Sequence, residues 1–369
     1  MAEYDNQHYV PQFYFRRFTR GRKCVNLVLK DSGQIILYAS IKHQCADHRF
    51  YGSTELERLF NTLEGRHSHA LRVIADAACN ADWSALTPEI LGTLWEAVLF
   101  QHNRTALEVE KSKDVPNAMA LPAFRNHLAT APAIENRESI LAAIDNGEVK
   151  IVHEREYALA QSIEIALESV LLISDLDFCV LRNLTDYPFV FSDSPVVFYN
   201  TARRKVTSRG VLGLQSPGLQ IFFPLSRDMV LMLYDDAAYG LSHNNVIDIT
   251  ARSDVSQLNA LQFKHSLNSV YFADAQSQEY VSQLWRAYGR NARLPADEVR
   301  VLHGVEIDGK IEPNPVTLFF QPHLDVQLEL SFITCEQAAD SGKFAGHRSP
   351  ELVMEHKARL KQADGDRDD

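Results

Sequence analysis

Apolar residues in the first half of the chain recur at intervals of three and four, the period of an amphipathic helix. The clearest start follows Thr87, which stands as an N-cap, with Pro88 at the first helical position and Glu89 in the first turn. The Pro- and Asn-containing stretch 114–132 interrupts the pattern and is predicted to be irregular. The predicted helices cover residues 54–78, 88–110, 137–146 and 154–173.

Strand patterns come before and after this helical region. Residues 25–29 and 34–38 flank a turn at Asp31-Ser32-Gly33, which predicts a hairpin. Short apolar runs bounded by Asp, Pro, Gly and Ser dominate the second half and predict a sheet. These strands cover residues 178–181, 189–191, 219–223, 229–233 and 270–272, with helices at 253–265 and 276–288. Helices and strands segregated in this way are typical of an α+β fold.

The predicted organisation is one main domain followed by two smaller pieces. In residues 1–290, the N-terminal hairpin and a helical region, 54–174, pack on a mostly antiparallel sheet, 175–290. Residues 291–335 predict a small C-terminal β appendage. Its strands cover residues 299–307, 315–321 and 326–332. Residues 336–369 are charged and poor in apolar periodicity, which predicts a flexible tail or a frayed helix.

Charge is unevenly distributed along the chain. The 48 acidic and 37 basic residues give a net charge of −11, which excludes unselective coating of nucleic acid. Two basic groups stand beside the two most distinctive motifs, which indicates either a local anion site or two solvated loops. The first group comprises Arg16, Arg17, Arg20, Arg22 and Lys23, and the second comprises Arg203, Arg204, Lys205 and Arg209.

The segment from His8 to Phe18 contains five aromatic residues among its eleven. That many rings need a core to receive them, so we expect this segment to be docked although chain termini usually fray. A short helix here places Gln12 and Arg16 on one face. We predict His8 as the general acid or base and Gln12 as an orienting group, while Arg16 and Arg17 bind phosphate. A helix docked only for packing is the alternative.

A second motif lies within the helix predicted over residues 88–110. Gln101, Arg104 and Glu108 share one helix face at spacings of three and four. We predict that Arg104 stabilises developing negative charge and that Gln101 orients and binds substrate, because an arginine forms forked hydrogen bonds to phosphate. A surface ion pair between Arg104 and Glu108 is the alternative.

A third motif, Ser192 and Asp193, follows a predicted strand, where catalytic carboxylates are often placed. Asp193 is predicted to orient His8, to act as a base or to bind a metal, and Ser192 is predicted to bind substrate. The alternative is an Asx-turn, in which the carboxylate of Asp193 caps its own backbone.

The sequence assigns no cofactor and no metal ligands. It contains no HExxH, paired-cysteine, GxGxxG, phosphate-loop or GxSxG pattern, and dependence on a divalent metal is left open. His102 and the other histidines considered show no metal-ligand spacing. The five scattered cysteines favour free thiols in a reducing cytoplasm. Neither a signal peptide nor a membrane span is predicted.

Several short motifs occur in a characteristic order. They are His-Tyr-Val-Pro-Gln-Phe-Tyr from His8, Phe50-Tyr51, Leu56-Glu57, Leu63-Glu64, Gln-x-x-Arg-Thr from Gln101, Ser-Asp-x-Pro-Val from Ser192, Pro217-Gly218, Phe223-Pro224-Leu225-Ser226, and Leu258-Asn259 with Gln262. This ordered set resembles the bacterial domain-of-unknown-function family 4238 and covers roughly residues 6 to 275. The family's name states no activity, so the resemblance implies an outline and no mechanism.

These residues together predict an enzyme that acts on a phosphate-containing substrate, a nuclease or phosphodiesterase-like hydrolase. A role as a defence or toxin effector rests on analogy with uncharacterised bacterial families and on no residue of this chain. The alternative is a non-catalytic module that binds a protein or a nucleotide. The candidate partners are nucleic acid, a nucleotide, a protein or a second copy of the chain, and no membrane. An enzyme requires His8, Gln12, Arg104 and Asp193 to open onto one cleft.

Overall fold

The computed structural model describes residues 6–19, 21, 23–52, 54–113, 115–130, 134–151, 154–241, 244–292, 297–302, 304–307, 310–311, 316–339 and 346–367. Helices α1 to α10 span Gln12–Arg16, Thr54–Asn80, Pro88–Asn103, Ala106–Ser112, Val115–Thr130, Arg137–Asp145, Arg155–Glu168, Arg252–Lys264, Gln278–Leu284 and Pro350–Arg367. A 3-10 turn at Ser169–Ile173 continues α7, and a π-helical turn at Trp285–Gly289 continues α9.

Fifteen strands are present in the described residues. Strands β1 to β15 span Asn6–His8, Cys24–Leu29, Ile35–Ser40, Ala46–His48, Asp177–Asn183, Phe191–Ser192, Val197–Tyr199, Gln220–Ser226, Met229–Tyr234, Val246–Ile249, Ser269–Phe272, Glu298–Leu302, Glu306–Ile307, Lys310–Ile311 and Val316–Phe320.

Two sheets form the centre of the fold. The larger has the order β10–β5–β9–β8–β7 and is antiparallel except where β10 pairs with β5. The smaller has the order β3–β2–β11–β6 and is antiparallel, so strands from the second half of the chain extend the N-terminal hairpin. The remaining strands pair two by two, β1 with β4, β12 with β15 and β13 with β14. The α+β class is therefore confirmed.

Helix α1 is held between the two sheets by its aromatic side chains. Tyr14 stacks on Phe223 of β8 with 5.2 Å between ring centroids, and Phe15 meets Tyr271 of β11 edge-on at 5.0 Å. Phe191 of β6 contacts both Tyr14 and Phe15. These five rings are buried, so the N-terminal segment is docked, as its aromatic content predicts.

The predicted helix start at Thr87 is confirmed, because its hydroxyl accepts a hydrogen bond from the backbone N–H of Ile90. The single helix predicted over residues 88–110 is wrong. Helix α3 ends at Asn103 with Arg104 as its C-cap, and Thr105, whose backbone is extended with φ −86° and ψ 155°, is the N-cap of α4. The Thr105 hydroxyl donates to the His102 carbonyl oxygen at 3.3 Å, a local bond that competes with helix continuation.

The stretch 114–132 also differs from its prediction. Residues 115–130 form α5 in spite of Pro122 within it, because Ala and Leu sustain a helix on either side. The strand predicted over residues 326–332 is wrong as well. Val326 and its alternate neighbours pack into the core of the larger sheet without joining a ladder, so the apolar–polar alternation reflects one-sided burial.

The C-terminal segment returns to the main body of the protein. Arg348 forms a bidentate ion pair with Asp175 at 2.7 and 2.8 Å and also donates to the carbonyl oxygens of Leu172 and Leu214. Helix α10 follows this anchor, so a helix occupies much of the predicted tail. In the described part of the chain, no helix has both the length and the hydropathy needed to span a bilayer.

Candidate functional site

Arg104 is buried at the junction of α3 and α4. Its Nε donates to the Tyr51 hydroxyl at 2.8 Å, Nη1 to Glu64 at 2.7 Å and Nη2 to the His8 carbonyl oxygen at 2.6 Å. The guanidinium also lies 4.7 Å from the centre of the Phe100 ring. We call this group the arginine centre. Every guanidinium nitrogen donates to a protein acceptor, so the arginine centre fastens β1 to α2, and a role in charge stabilisation stays a prediction.

Gln101 and Arg17 hold the N-terminal segment through backbone contacts. Gln101 Nε2 donates to the Tyr9 carbonyl oxygen at 3.0 Å, and Arg17 Nε donates to the Leu225 carbonyl oxygen at 2.7 Å. The cavity beside Gln101 has a volume of about 10 Å³, the lower limit for one water molecule. The cavity that Gln101 lines therefore has no room for a substrate, and the substrate-binding roles of Gln101 and Arg17 stay predictions.

His8, Gln12 and Arg16 form a row along α1. Gln12 Nε2 lies 3.5 Å from His8 Nε2, and Arg16 donates to Gln12 Oε1 at 3.5 Å. Burial lowers the pKa of His8, so its imidazole is neutral at pH 7. Arg16 is exposed, and Arg20 and Arg22 of the same basic group lie outside the described residues. Gln12 and Arg16 share one face of α1, as their spacing predicts, whereas His8 belongs to β1.

Asp193 is buried and fastens a turn far along the chain. One carboxylate oxygen accepts from the backbone N–H of Leu267 at 2.8 Å, and the other accepts from Asn268 at 2.6 Å and Ser269 at 3.0 Å. Burial raises the pKa of Asp193, and these three donors act against the rise. The Asx-turn alternative is wrong, because the capped amides belong to the turn after α8. Orientation of His8 by this carboxylate stays a prediction.

The loop from Ser192 to Val196 is held on both sides. The Ser192 hydroxyl donates to the Ser194 carbonyl oxygen at 2.8 Å, and Gln262 of α8 donates to the Pro195 carbonyl oxygen at 2.9 Å. The side-chain oxygen Oε1 of Gln262 in turn accepts from the backbone N–H of Ser192. Ser192 is fully buried, so its observed role is to fix this loop, and substrate binding stays a prediction.

The same loop presents two carbonyl oxygens to two buried imidazoles. His102 Nδ1 lies 3.1 Å from the Val196 carbonyl oxygen, and His265 Nδ1 lies 3.0 Å from that of Ser194. A carbonyl oxygen only accepts, so each Nδ1 carries a proton and each Nε2 of the neutral ring keeps a lone pair. The two rings are parallel within 7°, with centroids 6.0 Å apart. The Ser-Asp-x-Pro-Val motif therefore supports two histidines that the sequence did not connect with it.

Glu108 of α4 lies against both imidazoles. Its Oε1 is 3.9 Å from Nε2 of His102 and 3.9 Å from Nε2 of His265. The Lys111 ammonium lies 3.2 Å from the same oxygen and 3.6 Å from a carboxylate oxygen of Asp297. In the described part of the chain, His102, Glu108 and His265 form the group of metal-ligating side chains whose ligand atoms all lie within 4.8 Å.

Electrostatics distinguish the members of this group. Burial lowers the pKa of His265 to about 3 and also lowers that of His102, so both rings are neutral at pH 7. Burial alone would raise the pKa of Glu108, but Lys111 and the imidazoles outweigh it and lower the pKa to about 2. Burial raises the pKa of Asp297 to about 6. At pH 7 the group thus holds two carboxylates, one ammonium and two lone-pair nitrogens.

Two adjoining cavities lie beside the imidazoles. His102, His265 and Lys111 line a space of about 20 Å³, the histidine chamber, which has room for one water molecule or one ion. The basic cleft, a larger cavity of about 400 Å³, shares Leu212 and Gln321 with it as a common wall. The basic cleft therefore lies next to His102 and His265, the buried histidines that face Glu108.

Two arginines of the second basic group line the basic cleft. Arg203 and Arg209 both belong to its wall, together with the glycine-containing loop that follows them. Burial lowers the pKa of Arg203, and the charge of Arg209 acts in the same direction, because two cations share the cavity. Two positive charges therefore line one cavity, the arrangement that the local anion site requires, and that interpretation stays a prediction.

The sequence pattern did not reveal the histidine chamber. His102 and Glu108 are six residues apart across the break between α3 and α4, a spacing that brings nothing together on a continuous helix. His265 comes from the end of α8. The one local signal was the pair Glu108 and Lys111 at a spacing of three, which is common on helix surfaces.

Comparison with known proteins gives a family and no activity. A family model described as "Protein of unknown function (DUF4238)" matches residues 6–276. No curated protein and no solved structure gives a significant match. The matched range includes His102, Glu108 and His265 and ends before Asp297.

Proposed function

The chain belongs to the DUF4238 family, and we propose that it is a hydrolase acting on a phosphate-containing substrate, with the basic cleft as the binding site and the histidine chamber as the reaction site. The observation that carries this proposal is the common wall of Leu212 and Gln321 between the two cavities. Anion-binding groups thus lie beside groups that accept protons.

The basic cleft suits an anion of nucleotide size. A volume of about 400 Å³ falls within the range of small-molecule sites. Arg203 and Arg209 offer planar donors that match phosphate oxygens, and an anion between them relieves the repulsion of two like charges. The substrate class is therefore a nucleotide or a short stretch of nucleic acid, bound on a chain whose net charge of −11 disfavours unselective binding.

The histidine chamber suits activation of one water molecule. Water in it lies beside two neutral imidazoles, and Nε2 of His102 accepts its proton as the oxygen attacks phosphorus, because the pKa of His265, about 3, makes that ring a poor base at pH 7. The bond from phosphorus to the leaving oxygen breaks, and that oxygen takes a proton from solvent. The Lys111 ammonium lines the chamber and stabilises the charge that develops on the phosphoryl oxygens. Leu212 has to move aside for the phosphate to reach the water.

The cellular setting belongs to the proposal. All five cysteines are free thiols, which is consistent with a reducing cytoplasm. An effector that cleaves nucleic acid there would slow the growth of its host, and this provides a simple cellular readout.

The test compares two adjacent arginines. The full-length protein is incubated with RNA, single-stranded DNA and bis(4-nitrophenyl) phosphate, and Arg203→Gln is measured beside Arg204→Gln. Arg203 lines the basic cleft, whereas Arg204 does not belong to its wall. We expect Arg203→Gln to raise KM by about tenfold or more, since a charge-assisted hydrogen bond contributes about 1.5–3 kcal/mol. Arg204→Gln serves as the matched control and keeps the wild-type KM.

Two results would contradict the proposal. No turnover of any phosphate ester would remove the hydrolase, and equal KM values for the two variants would remove the basic cleft as its binding site. Binding of a nucleotide that depends on Arg203 but proceeds without turnover would favour the alternative, a binding module. That alternative draws support from the arginine centre, where a sequence motif of catalytic type serves packing.

A further inference from the structure

The two imidazoles of the histidine chamber are oriented as metal ligands are. Metal-binding histidines donate one ring N–H to a backbone carbonyl or carboxylate, which fixes the tautomer and directs the other nitrogen at the ion. His102 and His265 both do this, through the carbonyl oxygens of Val196 and Ser194. The Ser192–Val196 loop that supplies these carbonyls is itself fixed by Gln262 and by Asp193. The orientation of both rings is therefore built into the fold.

Three possible ligand atoms converge, and the Lys111 ammonium donates to one of them, Oε1 of Glu108, at 3.2 Å. Nε2 of His102, Nε2 of His265 and Oε1 of Glu108 face one another, with 3.9 Å from the oxygen to each nitrogen. Both Nδ1 protons are used by the loop carbonyls, so neither ring donates toward the carboxylate while it is neutral. Converging lone pairs in a buried site repel unless a cation lies among them.

Lys111 balances only part of the negative charge. Its ammonium lies between Glu108 and Asp297, two carboxylates for one cation. Two carboxylates around one ammonium leave a surplus of negative charge in a buried setting, where an unbalanced charge is costly. A divalent ion that carries one hydroxide would bring the group to neutrality.

We propose that His102, Glu108 and His265 bind one divalent transition-metal ion, Zn²⁺ in particular, with the fourth position open to the histidine chamber. Two imidazoles and one glutamate are a ligand set of catalytic zinc sites. Zn²⁺ prefers about 2.0–2.1 Å to each ligand and therefore ligand separations of about 3.4 Å. The two oxygen–nitrogen separations of 3.9 Å exceed that value by about half an ångström, and the separation between the two imidazole ligand atoms is no more than 4.8 Å, so the site closes on an ion by side-chain movement.

The use of this ion in catalysis rests on the proposed function, whereas its binding does not. A zinc ion lowers the pKa of bound water to about 7 and generates hydroxide at neutral pH. The chamber has room for one such water beside the ion. Lys111 and the basic cleft keep the roles given to them above.

The test measures metal binding directly. The full-length protein is treated with a chelator and dialysed, its metal content is measured by plasma mass spectrometry, and Zn²⁺ is titrated by calorimetry. We expect one Zn²⁺ per chain for the wild type. His265→Gln and Glu108→Gln should each weaken Zn²⁺ binding by about 100-fold or more. Removing only the hydrogen-bond partner of a metal ligand already costs about 10- to 100-fold, and removing the ligand itself should cost at least as much. Co²⁺ in place of Zn²⁺ should give the visible absorption bands of a four-coordinate site.

His67 provides a matched control. It is buried, and its Nε2 lies 2.8 Å from a carboxylate oxygen of Glu96. Among the described residues, no third metal-ligating side chain joins this pair, so it is not a candidate metal site. His67→Gln therefore removes an equally buried imidazole and should leave the Zn²⁺ stoichiometry and affinity unchanged. Circular dichroism and thermal unfolding identify any variant that fails to fold.

The outcomes separate this inference from the proposed function. A wild-type protein that binds no stoichiometric Zn²⁺, or a folded His265→Gln protein that binds it as well as the wild type, would overturn the metal site. Stoichiometric Zn²⁺ lost in His265→Gln, without hydrolysis of any phosphate ester, would support the metal site and overturn the hydrolase. Hydrolysis by metal-free protein would support the hydrolase and overturn catalysis through the ion.

Discussion

Two buried polar centres lie only a few residues apart and differ in their balance of donors and acceptors. In the arginine centre, Arg104 supplies donors to Tyr51, Glu64 and the His8 carbonyl oxygen, and each contact is a normal hydrogen bond. In the histidine chamber, acceptors outnumber donors. A satisfied centre holds the fold together, whereas a centre with surplus acceptors is prepared for a proton or a cation.

The break between α3 and α4 creates this difference. Arg104 is the last residue before the break and turns toward β1 and α2, whereas Glu108, in the first turn of α4, faces His265. On an unbroken helix the two side chains would share a face and pair with each other. Chemical type alone therefore did not distinguish the two centres, because the backbone decides which partners each side chain meets.

The largest effect expected from this comparison is on stability. Arg104→Met removes the cation of the arginine centre and leaves Glu64 partly buried without its partner. We expect the free energy of unfolding to fall by about 3–5 kcal/mol, the usual cost of breaking a buried ion pair. Urea denaturation followed by circular dichroism measures the change. A folded variant of wild-type stability that had lost its activity would instead return Arg104 to the reaction.

A surface ion pair provides the control for this measurement. Arg125 makes a bidentate contact with Asp145, and both side chains are substantially exposed. Arg125→Met should cost no more than about 1 kcal/mol, because solvent screens such pairs. A similar loss for both variants would mean that burial of the arginine centre contributes little.

The next effect concerns acid. In metal-free protein, the pKa of His265 is about 3 when folded, against 6.5 for an ordinary histidine. A lowered folded pKa means that its contribution to stability is present above pH 6.5 and is lost as the pH falls toward 3. Between pH 7 and pH 5 this histidine alone should cost about 2 kcal/mol. The groups that face it are Glu108, Lys111 and His102, and protonation of His102 has the same sign.

Urea denaturation at the two pH values, with chelator present, checks this expectation. His265→Gln should show a smaller loss of stability between pH 7 and pH 5 than the wild type, because glutamine does not titrate. An identical loss in the two proteins would mean that His265 takes up its proton while folded, and the chamber would then be less isolated from solvent than its burial indicates.

The sequence predicts those parts of the fold whose pattern is carried by residues close together in the chain. The periodicity of α2, α7 and α8 is carried by neighbouring residues, and those helices are present close to where they were expected. The end of α3 was missed because the Thr105 hydroxyl also lies 3.2 Å from that of Ser194, which belongs to a distant part of the chain. A contact between residues 89 positions apart leaves no pattern at spacings of three or four in the sequence.

The candidate site shows the same limit. Asp193 and Ser192 stood out as residues of catalytic type, and both lie in the loop that supports the histidine chamber. Their neighbourhood was therefore visible in the sequence, but their partners were not. His265 follows the Leu258-Asn259 and Gln262 motif by three residues but is not part of it, and its contact with Glu108 joins the end of α8 to the first turn of α4. Pairing across such distances is set by tertiary structure alone.

The smallest effect is expected at Arg16, a predicted phosphate-binding residue whose charge is exposed. Arg16 is exposed, and its side chain reaches Gln12 only at 3.5 Å, the limit of a hydrogen bond. Arg16→Ala should change the free energy of unfolding by less than about 0.5 kcal/mol and leave KM for phosphate esters unchanged. The same urea and kinetic assays measure both. A rise in KM as large as that expected for Arg203→Gln would place the phosphate beside α1, and the row of His8, Gln12 and Arg16 would then replace the basic cleft as the binding site.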